Sequence, residues 1–162
     1  MISNSYYVKN ENMNENMNEN MNENMNENIN EKNNKYNKND LFRACNNNNF
    51  WDVSKFIKYG IDINSTTDLG NTPLYISCKI GNIKIVSYLL DRGAFINHQN
   101  NKKMTSLHIA VLHGFIDIVV LLLKKGASTS LECNNGLIPL NYSFMYRSKN
   151  HDLISKLLIE SK

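Results

Sequence analysis

A 33-residue period in the second half of the chain constrains its fold more than any other sequence feature. The stretch TPLYIS at residues 72–77 returns 33 residues later as TSLHIA at residues 105–110. In both copies a glycine, two pairs of branched apolar residues and a Gly-Ala pair follow at the same distances. Periods of roughly 20–50 residues are typical of chains built from stacked supersecondary units. The sequence therefore predicts a solenoid of repeats rather than a single globular core.

Each unit has the pattern of two short helices joined by a tight turn. Thr72 can cap the first helix with its hydroxyl, and Pro73 suits the first helical position because the N–H that it lacks has no partner there. Gly81 interrupts that helix, and Gly93 stands where a left-handed C-cap would end the second helix. Four apolar residues between the two glycines follow one face of an amphipathic helix: Ile85, Val86, Leu89 and Leu90.

The repeated residues resemble the ankyrin repeat family, whose signature runs T-P-L-H-x-A, then a glycine, I-V-x-x-L-L and G-A. Weaker copies on either side extend the resemblance to roughly residues 34–162. The resemblance implies an all-α, ankyrin-type solenoid of about four helix-turn-helix repeats with β-hairpin loops. It also implies a role in binding other proteins, and it does not imply catalysis.

The period divides the chain into a tail and four units. We expect a tail at 1–33 and a repeat domain at 34–162, with units 34–66, 67–99, 100–132 and 133–162. The outer units depart from the pattern, because Asp52 stands at the position of Ile85 and Ile138 replaces the capping threonine. Terminal repeats lack a neighbour on one side and need a polar outer face. We therefore interpret these two units as the N-terminal and C-terminal caps.

A continuous apolar core is predicted to run through equivalent leucines of successive units: Leu74, Leu107 and Leu140. Trp51 stands where the next two units have Lys84 and Asp117, positions that face solvent on a second helix. We favour packing of the Trp51 indole over the N-terminal cap. An exposed contact residue is the alternative.

The tail is a low-complexity segment rich in Asn, Glu and Met. The word Asn-Glu-Asn-Met repeats between Glu11 and Ile29. Disorder is the favoured interpretation, because Asn is a weak helix former and the segment has little apolar surface to bury. A fluctuating helix is the alternative, since a four-residue step returns the methionines to one side of a helix with about 40° of drift per step.

The cysteines and the charge balance exclude several classes of protein. Cys45 and Cys78 lie 33 residues apart, at the same position of successive units, so we expect buried, reduced thiols. With no signal peptide and no apolar run of ~20 residues, the sequence predicts an intracellular, cytoplasmic protein without membrane insertion. The net charge is −2 over residues 1–39 and +5 over residues 40–162. This balance is too weak and scattered to predict a nucleic-acid partner.

No arrangement of residues predicts catalysis. His98, His108 and His113 have no acid or thiol at the spacing of a metal site, and no glycine loop could hold a phosphate. By the resemblance, His108 takes the position of a structural histidine. We therefore expect a chain that is not an enzyme and that needs no metal, cofactor or small-molecule substrate.

The resemblance implies that an unidentified protein partner binds to a concave surface of hairpin loops and first helices. The matching positions are Asp68, Leu69, Asn71, Lys79, Ile80, Asn101, Lys102, Met104, Leu112, His113, Asn135 and Leu137, with Asn134, Met145 and Tyr146 beside them. The structural alternative is that these are only tolerated loop residues. The apolar residues Leu69, Met104 and Leu137 favour binding, since exposed apolar groups can mark a contact site.

Two other functions compete with this hypothesis. The Asn-rich tail could drive self-assembly, because such tracts tend to self-associate. A weak polyanion or nucleic-acid binder could instead use six lysines: Lys79, Lys84, Lys102, Lys103, Lys124 and Lys125. Both are less favoured than a protein-binding surface.

Overall fold

The computed structural model of the protein describes residues 36–146 and 148–161. The Asn-rich tail, and with it both interpretations of its conformation, lies outside these residues. The described part contains eight helices and no strand. They are α1 (Lys38–Asn46), α2 (Phe50–Lys58), α3 (Pro73–Ile80), α4 (Ile83–Asp91), α5 (Ser106–Leu112), α6 (Ile116–Lys124), α7 (Pro139–Ser143) and α8 (Lys149–Glu160).

The helices form four pairs that stack in chain order. Within each pair the two helices contact each other, and the first helices α1, α3, α5 and α7 pack in sequence. The second helices α2, α4, α6 and α8 pack in the same order. The predicted all-helical solenoid of four helix-turn-helix units is confirmed. The exact boundaries of the four units within the connecting loops remain a prediction.

The loops between pairs carry tight hydrogen-bonded turns, which we call the first, second and third fingers (residues 67–71, 100–104 and 133–137). In each finger an N–H of the first residue donates to the carbonyl oxygen of the fifth: Thr67 to Asn71 at 3.1 Å, Asn100 to Met104 at 3.1 Å and Cys133 to Leu137 at 2.9 Å. The predicted hairpin loops are therefore present as turns, without strands in the described residues.

Side-chain caps begin the first helices of the two inner pairs. Thr72 Oγ1 accepts the N–H of Tyr75 at 3.2 Å, and Thr105 Oγ1 accepts that of His108 at 3.4 Å. Ile138 has no hydroxyl, and α7, which it precedes, has five residues. The missing cap is consistent with the short α7, because N–H groups without a partner at the N-terminus of a helix weaken its first turn.

Both rows of helices contribute to the core, and Ile85 and Leu89 of α4 are as fully buried as the leucines of α1 and α3. Leu41 and Leu74 are fully buried, and Leu107 is 1 % exposed. Leu140, the next residue in this series, is only half-buried. The predicted continuous core therefore thins at the C-terminal pair, whose α7 packs against α5 on one side.

Neighbouring pairs interlock where a first helix ends. Gly81 has φ +88°, and a Cβ built there would lie 2.7 Å from the Phe115 ring of the next pair. Gly114 has φ +69°, and a Cβ there would lie 2.9 Å from His151 Cε1. His151 also places Nε2 3.3 Å from the carbonyl oxygen of Leu112, which ties α8 to the end of α5. A side chain at either glycine would separate adjacent pairs.

The favoured packing of Trp51 is wrong, because its side chain is 78 % exposed. The neighbouring residue Phe50 packs instead, against the second helix of the next pair. Its ring meets Tyr88 edge-on at 5.3 Å, and the Lys84 ammonium lies 4.3 Å from the ring centre. With Phe50 seated on α4, the next residue of α2 points outward, since successive helical residues are about 100° apart.

Candidate binding surface

Each finger is held from inside by the side chain of its first residue. Asn100 Oδ1 accepts the N–H groups of Lys102 and Met104 at 2.9 and 3.0 Å. Thr67 Oγ1 accepts the N–H of Asn71 at 3.2 Å in the first finger. These hydrogen bonds fix the backbone of the finger, so its exposed side chains extend from Cα atoms with defined positions.

The fingers are also bonded to one another. Asn101 donates its N–H to the Leu69 carbonyl at 3.1 Å and its Nδ2–H to the Asp68 carbonyl at 2.9 Å. Asn134 repeats this arrangement on Lys102 and Asn101, at 3.0 and 3.1 Å. Asn71 Oδ1 accepts from Asn100 Nδ2 at 2.8 Å. The amide side chains among the predicted site residues therefore hold the fingers in register.

The structure brings the predicted residues together in two groups. The finger group contains Asp68, Leu69, Asn71, Asn101, Lys102, Met104, Asn135 and Leu137. The helix-end group contains Lys79, Ile80, Leu112 and His113, at the C-terminal ends of α3 and α5. Lys79 and Ile80 are the last two of the eight residues of α3, which begins just after the first finger, and a helix of that length spans about 12 Å. One small ligand could not touch both groups, whereas a protein segment could.

Exposed apolar side chains occur in both groups. Leu69 is 66 % exposed in the first finger, and Ile80 is 39 % exposed at the end of α3. Met104, Leu112 and Leu137 are half-buried. These side chains offer apolar area beside polar neighbours, which is the composition of an interaction surface.

His113 closes α5 and lies in a positive environment. Its ring stacks on Phe115 with the centroids 5.7 Å apart. Partial burial, and then the positive charge of Lys79, lower the pKa of His113 below its usual value. Lys79 is therefore the positively charged residue of the helix-end group, and His113 is neutral at physiological pH.

A cavity of about 380 Å³ lies between the second and third fingers. Its lining residues are Lys102, Met104, Cys133, Asn134, Asn135 and Tyr142. The sequence had not identified Cys133 or Tyr142 as site residues. Cys133 lies 33 residues after Asn100, so the repeat spacing was the available signal for it.

Cys133 takes over the role that Asn100 has in the preceding finger. Burial raises the pKa of the Cys133 thiol, but hydrogen bonds from the Tyr142 hydroxyl and from the backbone N–H groups of Asn135 and Leu137 outweigh it, so the pKa lies below the usual value. The Tyr142 oxygen is 3.4 Å from Cys133 Sγ. Burial and then Cys133 raise the pKa of Tyr142 to about 12. Sulfur thus serves as the acceptor that holds the third finger.

His108 is fully buried and holds a structural position. Its Nδ1 accepts the N–H of Thr105 at 3.1 Å, so Nε2 carries the proton and donates to the Leu137 carbonyl at 3.1 Å. Burial lowers the pKa of His108. The side chain therefore links the start of α5 to the third finger, as the position in the repeat implied.

The six lysines of the polyanion hypothesis lie on both sides of the helix pairs. Lys84, Lys124 and Lys125 belong to the second helices or follow them, whereas Lys79 ends a first helix. Lys125 pairs with Asp91 at 2.8 Å. Such a division does not form the continuous basic track that a nucleic-acid backbone requires.

Within 36–146 and 148–161, no set of three or more His, Cys, Asp or Glu side chains is placed to hold a metal ion. Over the same ranges, no helix has the length and apolar character needed to cross a membrane.

Comparison with known families agrees with the repeated geometry. A family model described as Ankyrin repeats matches the chain in three copies, at residues 7–100, 41–133 and 96–162. A search of curated proteins found no match. The three overlapping matches account for most of the sequence, and they coincide with helix pairs whose caps, turns and interlocking glycines recur with the same period. The chain belongs to the ankyrin repeat family.

Proposed function

We propose that this chain is a protein–protein interaction module that binds a partner protein on the surface formed by its fingers and the exposed ends of its first helices. Ankyrin repeats are generally interaction modules of this kind, and the family is typically non-enzymatic. The proposal therefore assigns rigid-surface recognition without catalysis.

The observation that carries the proposal is an exposed apolar side chain on a fixed backbone. Leu69 is 66 % exposed, while the N–H of Gly70 bonds to Thr67 at 2.8 Å and the Leu69 carbonyl accepts from Asn101 at 3.1 Å. Removing apolar area from water contributes roughly 25 cal/mol per Å², before the entropic costs of association are subtracted. A surface that is already rigid loses little conformational entropy on binding.

The competing functions have less support. The lysines of the polyanion hypothesis are divided between two sides of the helix pairs, and self-assembly through the Asn-rich tail involves residues outside the described part. We place the binding inside the cell, since Cys45, Cys78 and Cys133 are all free thiols.

The proposal is tested by capturing proteins from a cell extract with the full chain. We compare the wild type with Leu69→Asp/Lys102→Glu, which changes two exposed finger residues. The matched control is Lys124→Glu/Lys156→Glu, which changes exposed residues of α6 and α8. We expect the wild type and the control to retain the same protein, and the finger variant to lose about tenfold or more of it.

Thermal melting of all three proteins accompanies the capture, because surface changes usually alter stability by about 0.5 kcal/mol or less. Loss of capture in the control with retention in the finger variant would place the contact on the second helices and refute the proposed surface. Equal capture by all three would refute it as well.

A further inference from the structure

A lysine occupies a left-handed backbone position in the second finger. Lys103 has φ 54°, and the equivalent residues of the other fingers are Gly70 at φ 74° and Gly136 at φ 69°. A left-handed conformation strains a residue that carries a Cβ, whereas glycine adopts it freely. Strained backbone positions concentrate at functional sites. Lys103 is thus the one non-glycine residue at this position of the three fingers.

Lys103 is adjacent to a second lysine whose charge is also unpaired. Lys102 and Lys103 are both exposed, and neither ammonium group has an ion-pair partner among the described residues. Two exposed acids flank them in the neighbouring loops, Asp68 in the first finger and Glu132 just before the third. A long polyanion would meet these carboxylates, whereas a short acidic segment could pair with the two lysines alone.

The cavity beside Lys102 has a wall of mixed polar and apolar groups. Its volume of about 380 Å³ is near the lower end for ligand sites, which suits one or two side chains. Met104 and Tyr142 form apolar parts of the wall, and Lys102 stands at the edge. Charge and shape thus point to an acidic segment with one apolar anchor.

We infer that the second finger binds an acidic peptide segment of the partner, whose carboxylates pair with Lys102 and Lys103 while a neighbouring apolar side chain enters the cavity between the second and third fingers. The inference rests on the proposed function and names the chemistry of its partner. A nucleic acid is the other polyanion that the test must separate from an acidic peptide.

The probe is a library of random twelve-residue peptides displayed on phage and selected on the full-length protein. We expect the retained sequences to place two or more Asp or Glu residues close to a Leu, Ile, Phe or Met. A synthetic copy of one such peptide should bind more weakly as salt increases. Its affinity should fall about tenfold or more for Lys102→Glu/Lys103→Glu and stay unchanged for Lys124→Glu/Lys156→Glu.

Lys103→Gly is the variant that separates recognition from folding. Glycine suits the left-handed backbone, so this variant should melt at the same temperature as the wild type or higher, yet bind the peptide several-fold more weakly. A lysine with only a structural role would give the opposite pattern, with a lower melting temperature and unchanged affinity.

The rate at which Cys133 is alkylated reports whether the cavity is occupied. Bound peptide should slow the alkylation of Cys133 by iodoacetamide, because Cys133 is one of the residues that line the cavity. An unchanged rate would refute the anchor in the cavity.

The remaining outcomes also decide the inference. Retained peptides that are neutral or basic, retention unaffected by the lysine changes, or no retention would refute it. So would equally tight binding of a single-stranded oligonucleotide at the same lysines. The capture experiment decides the proposed function separately, since a partner lost only by Leu69→Asp/Lys102→Glu would uphold the surface even if its segment is not acidic.

Discussion

At the scale of single residues, one position of each finger decides whether the turn is rigid. Thr67, Asn100 and Cys133 are chemically different, yet each accepts backbone N–H groups of its own finger. His108 adds a connection between units, from Thr105 to the carbonyl of Leu137. Buried polar atoms thus fix the surface, because an unpaired buried donor or acceptor would cost about 1–3 kcal/mol.

We expect His108 to make the stability of the fold depend on pH. Burial lowers the pKa of His108 from its ordinary 6.5, so the folded chain favours the neutral ring while the unfolded chain binds a proton near that value. The stability that the buried neutral ring contributes is complete above pH 6.5. It is lost as the pH falls below 6.5 toward the lowered pKa.

The measurement is the urea midpoint of the wild type and of His108→Gln between about pH 7.5 and pH 5. The midpoint of the wild type should fall further than that of the variant, in which the other three histidines are unchanged. Parallel curves would show that His108 does not titrate with unfolding.

At the scale of helices, the weakest element is the first helix of the last pair. α3 and α5 begin with threonine caps, whereas α7 begins at Ile138 without a side-chain cap bond and has five residues. The backbone of Ile138 is already extended, with φ −86° and ψ 164°, close to the values of Thr72. Only the hydroxyl is missing.

Ile138→Thr should therefore stabilise the chain by about 1 kcal/mol, since its Oγ1 could accept the N–H of Asn141. Ile138→Val is the control, because valine has the shape of threonine without the hydroxyl. Urea unfolding of both variants measures the difference. If the valine variant is as stable as the threonine variant, the missing cap does not explain the short helix.

At the scale of the whole repeat array, stability depends on neighbours. Inner pairs pack on both sides, whereas the first and last pairs pack on one. Of the equivalent leucines, only that of the last pair is partly exposed, since Leu41 of the first pair is fully buried. Leu107 is 1 % exposed and Leu140 is half-buried. In a solenoid the free energy of folding is approximately a sum of terms within repeats and between adjacent repeats.

Leu107→Ala should accordingly destabilise the chain more than Leu140→Ala. Truncation of a fully buried leucine costs about 2–5 kcal/mol, and the loss is smaller where the side chain already meets solvent. Chemical denaturation at a single temperature compares the two variants. Equal decreases in the free energy of unfolding would contradict the assignment of the last pair as a cap.

The sequence by itself determined the repeat architecture, the four helix pairs and the buried positions of Cys45 and Cys78. These follow from local rules, because caps, glycines and apolar spacing act within a few residues and the period repeats them. The predicted site residues also fell on the fingers and helix ends, since the repeat spacing places equivalent residues on one side.

Only the tertiary structure decided how those residues combine. It divided the predicted site into a finger group and a helix-end group. It showed that the side chains of Asn71 and Asn101 form hydrogen bonds between fingers, and that Cys133 and Tyr142 line a cavity. It also left Trp51 exposed, while the neighbouring Phe50 packs against Tyr88. The physical reason is that contacts between units depend on the relative positions of side chains from two repeats, and spacing along one chain does not specify which of two neighbouring side chains will pack.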